Sequence, residues 1–192
     1  MTEQRDNIEP LIEKLLAELG RDVSEPGLAR TPQRVARAWR ELTQGYSQDP
    51  KEILCTVFPA ETYDEMVTVS GIEFHSNCEH HLLPFSGIAT VSYIPDKTVV
   101  GVSKLVRLVD CFARRLQIQE RMTSQIARAL EENLSPLGAG VHITATHMCM
   151  TCRGVKRGKT AMTTTSLVGK FKSDPSCRNE FLKACYGRRV CR

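Results

Sequence analysis

The chain of 192 residues is 41% hydrophobic and 25% charged, with a net charge of +4, which suits one well-buried domain with a small appendage. No apolar run approaches the roughly 18 residues of a membrane span, and MTEQRDNIEP lacks the apolar stretch of a signal peptide. A cytosolic protein is therefore expected, its eight cysteines serving as thiols and metal ligands rather than disulfides. The modest positive charge permits an anionic ligand without demanding nucleic acid.

Along residues 7–19, Ile8, Leu11, Ile12, Leu15, Leu16 and Leu19 are spaced as one helical face, with Gly20 as a stop. After a linker, RDVSEPGLAR, a second helix is predicted from Thr31 as N-cap and Pro32 at the first position, closed by Gly45. Val35, Ala38, Trp39 and Leu42 form its expected inner stripe. These helices read as an N-terminal helical region over residues 1–60. Residues 61–192 would form the main domain.

From about residue 65, EMVTVSGIEFHS and SGIATVSYIP read as a strand pair joined by CEHHLLPF. Ser103 offers an N-cap for a helical region from Lys104 to about Asn133, with a break expected near Arg115-Leu116-Gln117. In its second half Ile118, Met122, Ile126, Leu130 and Leu134 step by four. Ser135-Pro136 and the following glycines end it. A strand over 141–150, a basic turn RGVKRGK, a strand KTAMTTTSLV and a last helix around Arg178–Tyr186 complete the order, before a basic tail expected to fray. Two strand pairs separated by helix imply an α+β fold with a four-stranded antiparallel sheet. Its edges invite an oligomer that extends the sheet.

Chemistry concentrates in two places. Cys78 and His81 have C-x-x-H spacing, and His147 and Cys149 lie two apart, on one face if the strand continues through both. Two thiolates and an imidazole suit Zn²⁺ and leave a fourth position for water, the pattern of a catalytic site. Spacing does not choose among His80, His81 and His147. Cys149 and Cys152 also form a C-x-x-C, readable as a redox pair or a fourth thiolate, but no thioredoxin-like context surrounds it. In a strand, Cys152 would sit opposite Cys149 as a bystander. Cys55, Cys111, Cys177, Cys185 and Cys191 carry no motif and default to buried small hydrophobes or surface thiols.

CEHH, GVSKLVRLVDCFARRLQIQERMTSQIA, THMCMTCRG and TTTSL followed by F-K-x-D-P, with a weaker match in TPQRVARAW, resemble the GTP cyclohydrolase I family in order and spacing over most of residues 31–183. The resemblance implies a tunnelling-fold (T-fold) subunit: a four-stranded antiparallel sheet packed against helices. It also implies a toroidal decamer with active sites at subunit boundaries, and conversion of GTP and water to formate and 7,8-dihydroneopterin triphosphate, the entry to folate or tetrahydrobiopterin. Under the resemblance, Cys78, His81 and Cys149 match the zinc ligands, and His80 and His147 the catalytic histidines. Glu120 matches the guanine-binding carboxylate, with Gln119 beside it, and Ser103 a ribose or phosphate contact. Lys104, Arg107 and Arg153 match triphosphate positions. Arg34 matches one reached from a neighbouring subunit, and Arg37 stands nearby.

The chemistry asks for these residue types. Zinc acidifies water toward neutrality, an imidazole transfers protons near pH 7, and a carboxylate facing guanine N1–H and its 2-amino group rejects adenine. Arg and Lys bind phosphate by charge-assisted bonds. Three other readings compete. A zinc deaminase would show H-x-E and P-C-x-x-C, whereas Glu79 precedes His80 and Met148 precedes Cys149. A zinc-stabilised scaffold or nucleic-acid module finds support only in the net charge and basic tail. A pyruvoyltetrahydropterin synthase-like relative would use histidines in place of Cys78 and Cys149.

Overall fold

In the computed structural model, residues 7–187 are described. Residues 1–6 of the N-terminal stretch read above, and the basic tail with Cys191, lie outside that range. Two compact units part between Thr43 and Gln44.

The first unit contains α1 (Ile8–Glu18) and α2 (Thr31–Leu42). The apolar face of α1 is only half used: Ile8, Ile12 and Leu16 are half-buried, whereas Leu11, Leu15 and Leu19 are 52–66% exposed. In α2, Thr31 is already helical and Arg30 is the N-cap, so Pro32 is the second residue rather than the first. The inner stripe holds Ala36, fully buried, while Ala38 is exposed. Both stripes obey helical spacing, and the small alanines gave no means of choosing between them.

The second unit opens with a 3-10 turn at Gln44–Ser47 and α3 (Pro50–Leu54), whose N-cap Asp49 accepts from Lys51 N. Gly45 therefore does not close α2. It lies against the far chain, where a Cβ would sit 2.1 Å from the Cys111 carbonyl oxygen, so close backbone approach requires glycine. Leu54 is in the main core, so residues 44–54 pack with the second unit although the sequence groups them with the N-terminal helices.

There follow β1 (Val57–Pro59), β2 (Val67–Cys78), β3 (Pro84–Ile94), β4 (Thr98–Val100), α4 (Val102–Ala113), β5 (Leu116–Gln117), α5 (Gln119–Leu134), β6 (Gly138–His147), α6 (Met148–Thr151), β7 (Met162–Gly169), α7 (Lys170–Ser173) and α8 (Pro175–Tyr186). The main sheet has the order β5-β2-β3-β6-β7, and β1 pairs with β4 in a small separate ladder. The four long strands are antiparallel, as the sequence implies; β5 adds two residues parallel to the end of β2. A register shift between Val69 and Ile72 is absorbed at Gly71, whose φ of +76° favours glycine.

Alternation sends Ile72, Phe74, Phe85, Ala89, Val91, Tyr93, Val141, Ile143 and Ala145 into one core with Leu105, Leu108, Val109 and Phe112 of α4 and Met122, Ile126 and Leu130 of α5. The break expected between the two long helices falls at β5. Ser103 is exposed inside the first turn of α4 and Gly101 is its N-cap, so the predicted serine cap lies two residues too late. Phe171 and Phe181 form a second small core beyond Gly138 and Gly140. Short α3, β1, β4 and β5 escape periodicity because none is long enough to complete a pattern.

Candidate metal centre and active site

β2 ends at Cys78 and the chain turns back at once. The Cys78 carbonyl accepts from Leu82 N (2.8 Å) and His81 N (3.4 Å), and Cys78 N donates to Leu83 O (2.9 Å). This tight turn points Cys78 and His81 the same way, with Sγ and Nδ1 3.9 Å apart. Cys149 completes the group: its thiol and the two other ligand atoms all lie within 4.8 Å of one another, and the three could hold a metal ion. Burial, then the adjacent Cys78 sulfur, pushes the Cys149 thiol above its ordinary value, with Arg153 acting the other way. A cation would reverse that balance by favouring thiolate.

The route by which Cys149 arrives differs from the expected one. The strand ends at His147, and Cys149 stands on the four-residue turn α6. His147 and Cys149 are therefore not a same-face strand pair. Cys152 follows one helical turn after Cys149, exposed, as the C-cap of α6; it does not lie across a strand. All described cysteines are free thiols, with Cys111 and Cys177 buried and Cys55 exposed.

His147 is 9% exposed. Its ring stacks on Phe85, centroids 4.5 Å apart with an interplanar angle of 2°, because these residues sit directly opposite in the β3–β6 ladder. Nε2 lies 2.8 Å from Gln119 Oε1. Burial lowers the His147 pKa, and the Glu120 carboxylate opposes the shift. Glu120 is exposed in the first turn of α5, whereas Gln119 beside it is buried and turned inward. His80 is exposed, edge-on to His81 with ring centroids 6.3 Å apart, and Nε2 is 3.9 Å from Glu79 Oε1.

Lys104 and Arg107 line a cavity of about 540 Å³ together with Arg114, Asp49, Glu52 and Asp110. None of Cys78, His81, Cys149 or His147 lines it. Arg153 is exposed within electrostatic reach of Cys149. Arg34 and Arg37 are exposed on α2, in the first unit.

Sequence reasoning passed over a support for the metal loop. Arg121 pairs with Glu79, donates from Nε to Gln117 Oε1 (3.1 Å) and from a guanidinium NH₂ to Leu116 O (3.0 Å). The Arg121 guanidinium holds the Glu79 carboxyl below the usual carboxylate range, partial burial opposing it. Glu79 N donates to Gln117 O (3.0 Å), so β5 and α5 grip the residue between Cys78 and His80. The only sequence signal was Arg121's place beside Glu120.

A Cys₂His cluster that could hold a metal ion stands at the end of an antiparallel sheet, with the buried His147 two residues from Cys149. The GTP cyclohydrolase I family profile matches residues 8–186, and the chain belongs to that family. It is 50% identical to the GTP cyclohydrolase 1 of Wolinella succinogenes, covering 95% of this chain and 97% of that one. To the GTP cyclohydrolase 1 of Leptospira biflexa it is also 50% identical, over 91% and 96% of the two chains. Among solved structures, archaeosine synthase QueF-Like in the apo form aligns with 54% of this chain and 93% of its own at 15% identity and a TM-score of 0.45.

Proposed function

We infer that this chain is a GTP cyclohydrolase I, opening the imidazole ring of GTP hydrolytically, releasing formate and closing the product to 7,8-dihydroneopterin triphosphate. The observation that carries the reading is the convergence of Cys78, His81 and Cys149, in a chain half identical to named GTP cyclohydrolases along nearly its whole length. The proposed metal is zinc. Tetrahedral zinc with S and N ligands at about 2.3 and 2.1 Å needs an S···N separation of about 3.6 Å, and the observed Cys78–His81 separation is 3.9 Å. When bound, zinc supplies the Lewis acidity that makes water a nucleophile near neutral pH.

The chain's own residues do the rest. His147 gives a proton to the guanine ring nitrogen, making C8 electrophilic; its depressed pKa makes the imidazolium a stronger acid. His80, exposed and beside Glu79, serves the later proton transfers of sugar rearrangement and pterin closure. Glu120, free at the first turn of α5, receives guanine N1–H and the 2-amino group. Ser103, Lys104, Arg107 and Arg153 take the ribose and triphosphate, joined by Arg34 and Arg37 of a neighbouring subunit. Such sharing requires an assembly, and the toroidal decamer fits two features: β7 pairs with β6 on one edge only among the described residues, and Leu11, Leu15 and Leu19 form an exposed apolar row. No described helix is long and apolar enough to cross a membrane, and a cytoplasmic site suits the free thiols.

The test is turnover of GTP by purified protein, reading pterin fluorescence after oxidation and formate release, with and without a chelator. Product formation lost on metal removal and restored by zinc is the expected result. Untouched GTP in protein carrying one zinc per chain would refute the reading. His147→Ala should stop before ring opening, and His80→Ser should accumulate a ring-opened or deformylated species; the reverse pattern would exchange the two roles.

A further inference from the structure

Gln119 is positioned to act on His147 rather than on substrate. The residue is 1% exposed, and both polar atoms of its carboxamide have partners within the protein. Nε2 lies 3.1 Å from Ile143 O, 3.1 Å from Met162 O and 3.1 Å from Thr164 Oγ1. Two of those partners are backbone carbonyls, which only accept, so the group facing them is the NH₂. The hydroxyls agree. Thr123 Oγ1 donates to the Gln119 main-chain carbonyl at 2.6 Å, which leaves Thr164 Oγ1 as donor to Thr123 Oγ1 across 2.7 Å. The Thr164 oxygen is then free to accept from Gln119. The two amide protons are shared among these three acceptors, and all three contacts put the NH₂ on this side.

The amide oxygen must therefore face His147, and an amide oxygen cannot donate. The 2.8 Å contact to His147 Nε2 is a hydrogen bond from imidazole to amide. Phe85, stacked flat on the ring, holds the plane in which that bond is made.

We propose that Gln119 is a positioning residue that fixes neutral His147 as the Nε2–H tautomer, so that Nδ1 is the nitrogen that gives and takes the catalytic proton. The sheet supplies the template, since Ile143 O and Met162 O belong to the paired strands β6 and β7 and Gln119 opens α5. The proposal rests on the reading of His147 as the proton donor in ring opening.

The tautomer is readable without turnover. Solid-state ¹⁵N NMR of zinc-loaded, ¹⁵N-histidine-labelled protein at pH 8.5 distinguishes protonated from unprotonated ring nitrogens, and a His147→Asn sample assigns the signal among the five histidines. A protonated Nε2 with a bare Nδ1 is expected. A proton on Nδ1, or on both nitrogens, overturns the proposal whether or not the protein turns over GTP. Gln119→Met keeps length while removing the acceptor. It should lose the single tautomer and reduce kcat toward the limit of about 10²–10⁴-fold that acid–base catalysis supplies, with KM for GTP little changed. A raised KM with kcat and tautomer intact would make Gln119 a substrate contact instead. Should the Met variant fail to fold, the wild-type spectrum still decides. An inactive protein with the expected tautomer would sink the functional reading and leave the hydrogen-bond assignment standing.

Discussion

Phe85 offers a direct test of whether the histidine platform is structural, chemical or both. Its side chain is 1% exposed, stacked on His147 and edge-on to Phe74 with centroids 6.0 Å apart. Phe85→Leu retains most of the volume but loses two ring pairs, each worth about 0.5–1.5 kcal/mol beyond area. With repacking below about 1.5 kcal/mol, a loss of about 2 kcal/mol follows. Phe85→Ala adds a cavity and should cost about 3–5 kcal/mol. At about 2–4 °C per kcal/mol for a domain of this size, the Leu variant should melt about 4–8 °C lower, at matched protein concentration because assembly also shifts Tm. Activity separates the roles. Assayed well below its Tm, the Leu variant should lose kcat through the freed His147 ring while retaining KM. Full kcat in Phe85→Leu, with Tm within about 1 °C of wild type, would refute the argument that the stack orients the imidazole.

Other outcomes follow from single contacts. Tyr93 is buried and its hydroxyl accepts from Val100 N at 3.0 Å; Tyr93→Phe strands that donor and should cost about 1–3 kcal/mol in urea unfolding. Reversing either charge of the Glu79–Arg121 pair should weaken metal retention by about 10–100-fold, the usual effect of disturbing groups behind the ligands. The double exchange, Glu79→Arg with Arg121→Glu, should recover part of it in metal content after dialysis. His142 is pushed below its ordinary 6.5 by burial. The unfolded chain therefore binds its proton first, and stability that is full above pH 6.5 should fall as the pH drops below it. His142→Asn should flatten that portion of the stability–pH curve.

The long elements were legible because each repeats its pattern several times. Met122, Ile126 and Leu130 mark α5 through three helical turns, and alternation from Phe85 to Tyr93 marks β3. Ala36 and Ala38 were interchangeable to a pattern reader, and the end of β6 was invisible because His147-Met148-Cys149 continues its alternation. Only the turn at Met148–Thr151 shows that the strand has stopped. At the site, C-x-x-H spacing made Cys78 and His81 candidates, and one local turn brings them together. Cys149 was already a candidate from its spacing to His147, and the resemblance chose among the three histidines. Gln119, Thr123 and Thr164 were beyond spacing altogether, since their circuit closes across α5, β6 and β7. Arg121 meets Glu79 only because β5 lays α5 beside the metal loop.

One peptide bond divides two mechanical regimes. His147 is the final residue of β6, paired with Phe85 of β3 two residues beyond the last β6–β7 pair at Ala145, so the ladder still fixes its backbone. Cys149, two residues later, rides a four-residue helical turn that leads into the exposed RGVKRGK segment. Under the proposed reading, a change of ion radius would be taken up at Cys149 while His147 keeps its place. The proposed ligand and the proposed acid would then answer to different elements, one to a short turn and the other to the sheet.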